Sequence, residues 1–144
     1  MINTLSIACS KENLIIIRKF VNESLKEIGL RTTDQNLIVL AIDEVCANLI
    51  IHSNKCNERK NLIVLSNYNK RDHQLSITIK DEGKLFDYKK YTEPQLNQII
   101  EDKKKGGIGL LLVRKIMDAI EYTSDNSHNI TKLSKKINPQ SLAS

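Results

Sequence analysis

Hydrophobic and polar positions alternate along the chain in blocks that predict three helices and five strands. The most apolar block, LIVLAIDEVCANLII at residues 37–51, contains no Gly or Pro and predicts a helix buried nearly all round. Thr33 or Asp34 is expected to cap this helix, and the apolar pattern carries it to about Ser53. This helix is therefore expected to lie in the core of the domain.

Weaker periodic patterns predict the other elements. Apolar residues at helical spacing indicate a helix over residues 11–28, with Ser10 as its cap and Gly29 as its stop. A further apolar helix is predicted over residues 108–119. Alternation of apolar and polar residues predicts strands at residues 4–9, 61–68, 74–81, 120–125 and 129–137.

The order of these elements, β-α-α-β-β-loop-α-β-β, determines the expected architecture. Most strand pairs are local hairpins, so the sheet should be mixed but mainly antiparallel, with the helices on one face. We therefore expect an α/β (α+β) two-layer sandwich formed by one domain over residues 1–137, followed by a frayed tail over 138–144. The long polar connection 82–105 is of a kind that is usually functional, and a short helix is expected near 94–101.

Composition narrows the class of protein. The chain has 144 residues, of which 40% are apolar and 27% charged, which suits one globular domain. Aromatic residues make up only 4%, with no Trp, so a stacking platform for single-stranded nucleic acid is not expected. The net charge of +5 is compatible with nucleic acid, an acidic protein or a polyphosphate, but lysine clusters such as 103–105 are more often solvated surface.

The cysteines and the N-terminal segment bear on the cellular compartment. Cys9, Cys46 and Cys56 are odd in number and have no paired short spacing, so reduced thiols are expected and not disulfides or a zinc site. The first residues lack the features of a signal peptide, and no run approaches 18 apolar residues. A cytoplasmic protein without a membrane span is expected.

Glu44 and Asn48 are the first candidate for chemistry. They lie four residues apart in the apolar block, and hence on one face of the predicted helix. A carboxylate there can act as a general base, and an amide oxygen is a hard ligand suited to Mg²⁺. The spacing alone favours a structural hydrogen bond between the two side chains in the core over a catalytic site.

Two further patterns are weak when taken separately. Asp81 at a strand end can accept a hydrogen bond from an exocyclic amine, and Gly83 permits close approach of a ligand, although an ordinary Asp-x-Gly turn has the same pattern. The segment KKKGGIG at 103–109 precedes a predicted helix and could bind an anion at the helix N-terminus. A flexible loop before a helix would have the same sequence pattern. The segment is not a P-loop, because no Gly-Lys-Ser/Thr follows.

In their order along the chain these motifs resemble one known family. The E-x-x-x-N helix, the Asp-x-Gly strand end and the G-G-x-G helix start are similar to the N, G1 and G2 boxes of the Bergerat-fold (GHKL) ATPases and kinases. The resemblance is closer to the anti-sigma factor serine/threonine kinases of the RsbW and SpoIIAB type. The stretches that carry it are residues 41–53, 81–125 and 129–137.

The resemblance implies a role for each residue that matches a motif. Glu44 would be the catalytic base, and Asn48 would bind Mg²⁺ and nucleotide. Asp81 would bind the adenine amino group, Gly83 would border the base, and Thr131 would help to close the base pocket.

The glycine-rich segment would hold the phosphates of ATP. Gly106, Gly107 and Gly109 would contact them, with residues 87–105 as the ATP lid. Lys105 occupies the position where several such kinases carry an arginine near the γ-phosphate.

The implied function is phosphoryl transfer from ATP, with Mg²⁺, to a serine or threonine of a STAS-type anti-sigma factor antagonist. A sigma factor or another regulator would be a second partner, and homodimers are common in the family. The alternative is an ATP-dependent switch that sequesters a partner without phosphorylating it. A detached ATP-binding domain of a histidine kinase is less favoured, because no dimerisation helix with a phosphoacceptor His precedes the domain, and nucleic-acid binding is the least favoured.

Overall fold

A computed structural model describes residues 2–83 and 108–142 of the chain. Over these ranges the elements follow the predicted order. The strands are β1 (Ile2–Ala8), β2 (Asn61–Asn69), β3 (Gln74–Asp81), β4 (Ala119–Ser124) and β5 (Asn129–Lys136). The helices are α1 (Leu14–Glu27), α2 (Thr32–Asn48) and α3 (Ile108–Ile116).

The strands form one five-stranded sheet in the order β1-β2-β3-β5-β4, and every pairing among them is antiparallel. Because successive side chains of a strand point to opposite faces, only alternate residues of the central strands are buried. The buried face includes Leu62, Val64, Leu75, Ile77 and Ile79. The predicted two-layer sandwich with a mainly antiparallel sheet is confirmed.

The helices supply the second layer, with α2 packed against both α1 and α3. Ile17 and Val21 of α1, Ile38 and Ile42 of α2 and Val113 of α3 are at most 1% exposed. Burial of an aliphatic side chain of this size stabilises a fold by roughly 1.5–3 kcal/mol. The position of α2 between its neighbours makes it the rigid element on which a site can be built.

The prediction that α2 is buried nearly all round is wrong. Leu37 is 48% exposed and Leu40 45% exposed, while Glu44 and Asn48 are half-buried. The physical reason is the two-layer architecture, in which a helix covers the sheet with one side only. Within the described ranges no third layer covers the other side, so the apolar block is a core helix with one open face.

The predicted caps are also wrong in detail. Helix α2 begins at Thr32 after Arg31, whose side chain makes no capping hydrogen bond, so neither Thr33 nor Asp34 caps it. Ser10 precedes a short 3-10 turn, not α1 itself, and its side chain makes no capping hydrogen bond either. The sequence suggested side-chain capping at these helix ends. Packing of the apolar helix faces, and not capping, is what generally stabilises helices in proteins.

Residues 138–142 differ from the frayed tail that the sequence predicted. A 3-10 turn covers Pro139–Ser141, and the backbone N–H of Arg31 donates to the carbonyl of Ser141 at 2.9 Å. Leu142 forms a β-bridge with Leu30. The segment is therefore attached to the start of α2 by backbone hydrogen bonds that local sequence patterns do not reveal.

The cysteines are free thiols, as expected. Burial raises the pKa of Cys9 to about 11, with a smaller contribution from the Asp81 carboxylate. Burial also raises the pKa of Cys46, which lies wholly within the core. Neither thiol forms a thiolate at neutral pH, so both act as small apolar core residues.

The segment Thr32–Ser53 forms a helical stretch of 22 residues that is long and apolar enough to cross a membrane. Length and composition alone are weak evidence for a membrane span, because the core helix of a globular protein has the same character. In the fold, however, this stretch packs between α1 and α3, as the core helix of a globular domain does. Its apolar character is accounted for by burial of Ile38, Ile42 and Val45 against the rest of the domain.

Candidate functional site

Glu44 and Asn48 lie on the open side of α2, and the structure records no hydrogen bond between their side chains. Nor does Glu44 form a hydrogen bond or an ion pair with any other residue of the described ranges. The neighbouring Asp43 instead accepts a hydrogen bond of 2.6 Å from Nε of Arg18 on α1. Asp43 therefore joins two helices, while the Glu44 carboxylate is available to a ligand, which argues against a core hydrogen bond between Glu44 and Asn48.

Directly after Asn48 the helix widens into a π-helical turn over Leu49–Ser53, so the predicted end near Ser53 is confirmed. Such turns are rare and occur frequently at functional sites. After Asn54, which follows the turn, Lys55 and Cys56 both have left-handed backbone conformations, with φ of 51° and 54°. Consecutive left-handed residues other than glycine are strained, which marks this corner as one held in place by its surroundings.

Asn54 connects the π-helical turn to the end of β3. Its side-chain Nδ2 donates to the carbonyl of Leu49 at 2.7 Å and to Oδ1 of Asp81 at 3.4 Å. Its backbone N–H donates to the same Leu49 carbonyl at 2.9 Å. The helix end that carries Asn48 is thereby tied to Asp81, which lies 27 residues later than Asn54 in the sequence. Sequence patterns missed Asn54, because it lies in a polar stretch without periodicity.

Asp81 is the buried acid of the site, with 1% of its surface exposed. Its Oδ1 accepts the backbone N–H of Gly83 at 2.9 Å and the Nδ2 group of Asn54 at 3.4 Å. No donor from the described residues reaches Oδ2. One oxygen is therefore used to hold the carboxylate, and the other is available to a donor on a ligand.

Gly83 is required by the space around it. A Cβ at this position would lie 2.8 Å from Oδ1 of Asp81 and 3.2 Å from the backbone carbonyl of Ser53. Both distances are shorter than ordinary van der Waals contacts, and the carbonyl belongs to the backbone. The Asp-x-Gly spacing is thus more than a turn signal, since it allows the strand end to pack directly onto the π-helical turn.

Substitution of Gly83 by Ala is expected to lower the free energy of unfolding by about 1–3 kcal/mol, as overpacking does in a closed site. Urea denaturation measures this change. The control is Ser6→Ala on the exposed side of β1, expected within about 0.5 kcal/mol of the unaltered protein. Equal stability of Gly83→Ala and Ser6→Ala would show that Asp81 and Ser53 can move away from residue 83.

Thr131 lies on β5 and is 3% exposed. It pairs with Ile79 of β3, while Asp81 pairs with Asn129, so Thr131 and Asp81 are diagonal neighbours on the same face of the sheet. Cα atoms in this relation are roughly 7–8 Å apart. The structure thus brings Asp81, Gly83 and Thr131 to one end of the sheet, beside the π-helical turn of α2.

The glycine-rich segment is described only in part. Gly109 lies in the first turn of α3, which packs against α2. Lys105, Gly106, Gly107, the 87–105 lid and the helix expected near 94–101 lie outside the described residues.

The available donors fit a metal ion that is bound together with a nucleotide. Over residues 2–83 and 108–142 no group of three or more His, Cys, Asp or Glu side chains could hold a metal ion. Asn48 offers one amide oxygen on an open helix edge. Mg²⁺ is often held by one or two protein groups, with phosphates and water as its other ligands. The donor set therefore suits Mg²⁺ carried by phosphates.

Comparison with known proteins agrees with this geometry. The family model for the histidine kinase-like ATPase domain matches residues 7–135. A serine-protein kinase RsbW from Bacillus cereus is 27% identical over 130 residues, covering 88% of this chain and 79% of the relative. The RsbW kinase from Halalkalibacterium halodurans is 26% identical over 127 residues, covering 85% of this chain and 75% of that protein.

A solved structure shows the same fold. The crystal structure of the RsbU and RsbW domains of a Mycobacterium tuberculosis protein superposes with a TM-score of 0.68 at 15% sequence identity. The match covers 100% of this chain and 35% of that one, so this chain spans about a third of the solved chain's length.

Proposed function

Since the chain belongs to the histidine kinase-like ATPase domain family, as an RsbW-like member, we propose that it transfers a phosphoryl group from ATP to a protein serine or threonine. The observation that carries the proposal is the open edge of α2. Glu44 and Asn48 lie there without a mutual hydrogen bond, next to a helix end that is tied to the buried Asp81. Both side chains are half-buried, so a ligand at this edge can contact them.

In the proposed complex the end of the sheet binds the base. Asp81 accepts a hydrogen bond from the adenine amino group through Oδ2, Gly83 lets the base approach the backbone, and Thr131 borders the pocket. Asn48 provides an amide oxygen to Mg²⁺. These assignments place recognition of the base on buried, tightly held groups and leave the reactive end at the exposed edge of α2.

The phosphate-binding part of the proposal concerns the start of α3. Gly106, Gly107 and Gly109 would present backbone N–H groups to the phosphates, and Lys105 would add a positive charge. A lysine is a point charge and not a bidentate fork, so Lys105 would contribute mainly to neutralisation.

Glu44 carries the chemical step in this proposal. When bound, ATP would supply the phosphoryl group, and Mg²⁺ would offset the negative charge of the phosphates. Glu44 orients the hydroxyl of the protein substrate and accepts its proton, while the new oxygen–phosphorus bond forms and the bond to ADP breaks. The half-buried position of Glu44 suits this role, because a protein substrate must reach it from solvent.

We propose a STAS-type anti-sigma factor antagonist as the substrate and a sigma factor or another regulator as the second partner. The support is that the relatives are named RsbW serine-protein kinases. A homodimer in the cytoplasm is part of the same proposal. The identity between this chain and these relatives is 26–27%.

Nucleotide binding provides the first test. ATP or ADP with Mg²⁺, at about 100 times its dissociation constant, is expected to raise the free energy of unfolding by roughly 2.7 kcal/mol. Asn48→Ala should weaken binding of ATP with Mg²⁺ but have a smaller effect without the metal. The matched control is Asn36→Ala, an exposed asparagine earlier on α2. If neither nucleotide shifts the melting temperature, the proposed function fails.

A further inference from the structure

Asn54 is a buried amide, 2% exposed, between the π-helical turn and the buried acid Asp81. Its Nδ2 group donates both to the Leu49 carbonyl and to Oδ1 of Asp81. A backbone carbonyl and a carboxylate oxygen both accept hydrogen bonds, so the NH₂ group of Asn54 must face them and the orientation of the amide is determined. A flipped amide would point its carbonyl oxygen at two other oxygens.

The other end of the amide has no partner. Oδ1 of Asn54 is buried and receives no hydrogen bond from the residues that the structure describes. A buried acceptor without a donor costs free energy, and in a native structure it calls for an explanation. An apolar side chain of similar size would fill the same space without this cost. The contribution of Asn54 must therefore come from the two hydrogen bonds that its Nδ2 donates.

One of those hydrogen bonds is donated to the carboxylate of Asp81, to which we assign recognition of the adenine base. Without Asn54, Oδ1 of Asp81 would keep only the backbone N–H of Gly83. A carboxylate held by one donor can rotate about it, whereas two donors on the same oxygen restrict the rotation. The oxygen left over, Oδ2, then has one direction in which it can accept.

We propose that Asn54 is a positioning residue for recognition of the base. It holds Asp81 so that Oδ2, an acceptor only, is presented to the exocyclic amine of a 6-aminopurine. A 6-oxopurine presents an acceptor at the same place and is disfavoured. The inference rests on the proposed function and deepens it, because it names the determinant of nucleotide selectivity.

The test compares three diphosphates by isothermal titration calorimetry in the presence of Mg²⁺. ADP carries the 6-amino group, inosine diphosphate carries a 6-oxo group, and purine riboside diphosphate carries neither. Asn54→Leu preserves the approximate size of the side chain and removes its donors. Asn36→Leu on the exposed side of α2 is the matched control.

The expected result is selective. Asn54→Leu is expected to weaken the binding of ADP by about five- to tenfold, which corresponds to the loss of one hydrogen bond. The affinity for ADP divided by the affinity for inosine diphosphate therefore falls. Purine riboside diphosphate binds with unchanged affinity, because it has no group for Asp81 to bind. An equal loss for all three ligands would mean a damaged pocket and would overturn the proposal, as would an unchanged ratio.

Two measurements keep the test valid if Asn54→Leu does not fold. Asn54→Ser has one hydroxyl hydrogen, which can reach one acceptor at a time, so an intermediate loss of selectivity is expected. In the unaltered protein, the NMR signal of the Asn54 side-chain NH₂ should shift more with ADP than with purine riboside diphosphate. Equal shifts would contradict the proposal.

The outcomes also separate this inference from the function on which it rests. If the unaltered protein binds no nucleotide, the proposed function fails. If it binds ADP and Asn54→Leu keeps the same selectivity, only the role of Asn54 is overturned.

Discussion

Replacement of Glu44 by Gln is expected to lower the rate of phosphoryl transfer by about 100- to 10,000-fold, the contribution typical of a general base. The amide has nearly the same shape as the carboxylate but cannot accept the proton of the attacking hydroxyl. The measurement is single-turnover transfer of phosphate to a STAS-type partner at saturating ATP and Mg²⁺. The affinity for ATP, measured by calorimetry, should change by less than a few fold.

The adjacent acid provides a matched control. Asp43 lies next to Glu44 in α2 but pairs with Arg18 on α1. Asp43→Asn should retain transfer and lose at most about 1 kcal/mol of stability, as is usual for a partly exposed ion pair. Transfer by Glu44→Gln at the rate of Asp43→Asn would refute the assigned role. Binding of ATP without transfer by any variant, including the unaltered protein, would favour the switch that sequesters a partner.

Replacement of Asp81 by Asn is expected to reverse the preference for the base. Gly83 and Asn54 both donate to Oδ1, so the new amide must place its oxygen there and its NH₂ group where Oδ2 was. A donor then faces the ligand. The affinity for ADP should fall by about 10- to 100-fold, as expected for the loss of a hydrogen bond to a charged group. The affinity for inosine diphosphate should rise.

Calorimetry with ADP and inosine diphosphate measures the reversal. Asp72→Asn serves as the control, because Asp72 lies on the exposed turn between β2 and β3 and accepts a hydrogen bond from Asn69. It should leave both affinities unchanged. A variant Asp81→Asn that still prefers ADP would show that the amide has the opposite orientation, and that the two donors do not control residue 81.

The sequence supported the fold well because its elements are strongly periodic. Alternation on β2 and β3 and helical spacing on α1 were sufficient for the element order and the two layers. Prediction from the sequence was less reliable for features that depend on contacts between residues distant in the chain. The open face of α2 is an example, because an apolar run does not reveal which of its sides the sheet covers. Leu37 and Leu40 are exposed for that reason.

The candidate site divides in the same way. Asp81, Gly83 and Thr131 were identified by resemblance, and the structure brings them to one end of the sheet. Asn54 was missed, because its partners are Leu49 on the preceding turn and Asp81 on another strand. No local pattern distinguishes an asparagine that donates to a distant carboxylate from one that lies in a solvated loop.

The sequence by itself thus determined the order of elements, the family and the positions of Glu44 and Asn48 on one helix. Local periodicity and short spacings are properties of neighbouring residues, and they survive without a fold. Only the tertiary structure decided that Glu44 is unpaired within the described residues, that a Cβ at residue 83 would meet Asp81, and that Asn54 ties α2 to β3. These three features depend on hydrogen bonds and steric contacts between residues that are distant in sequence and close in space.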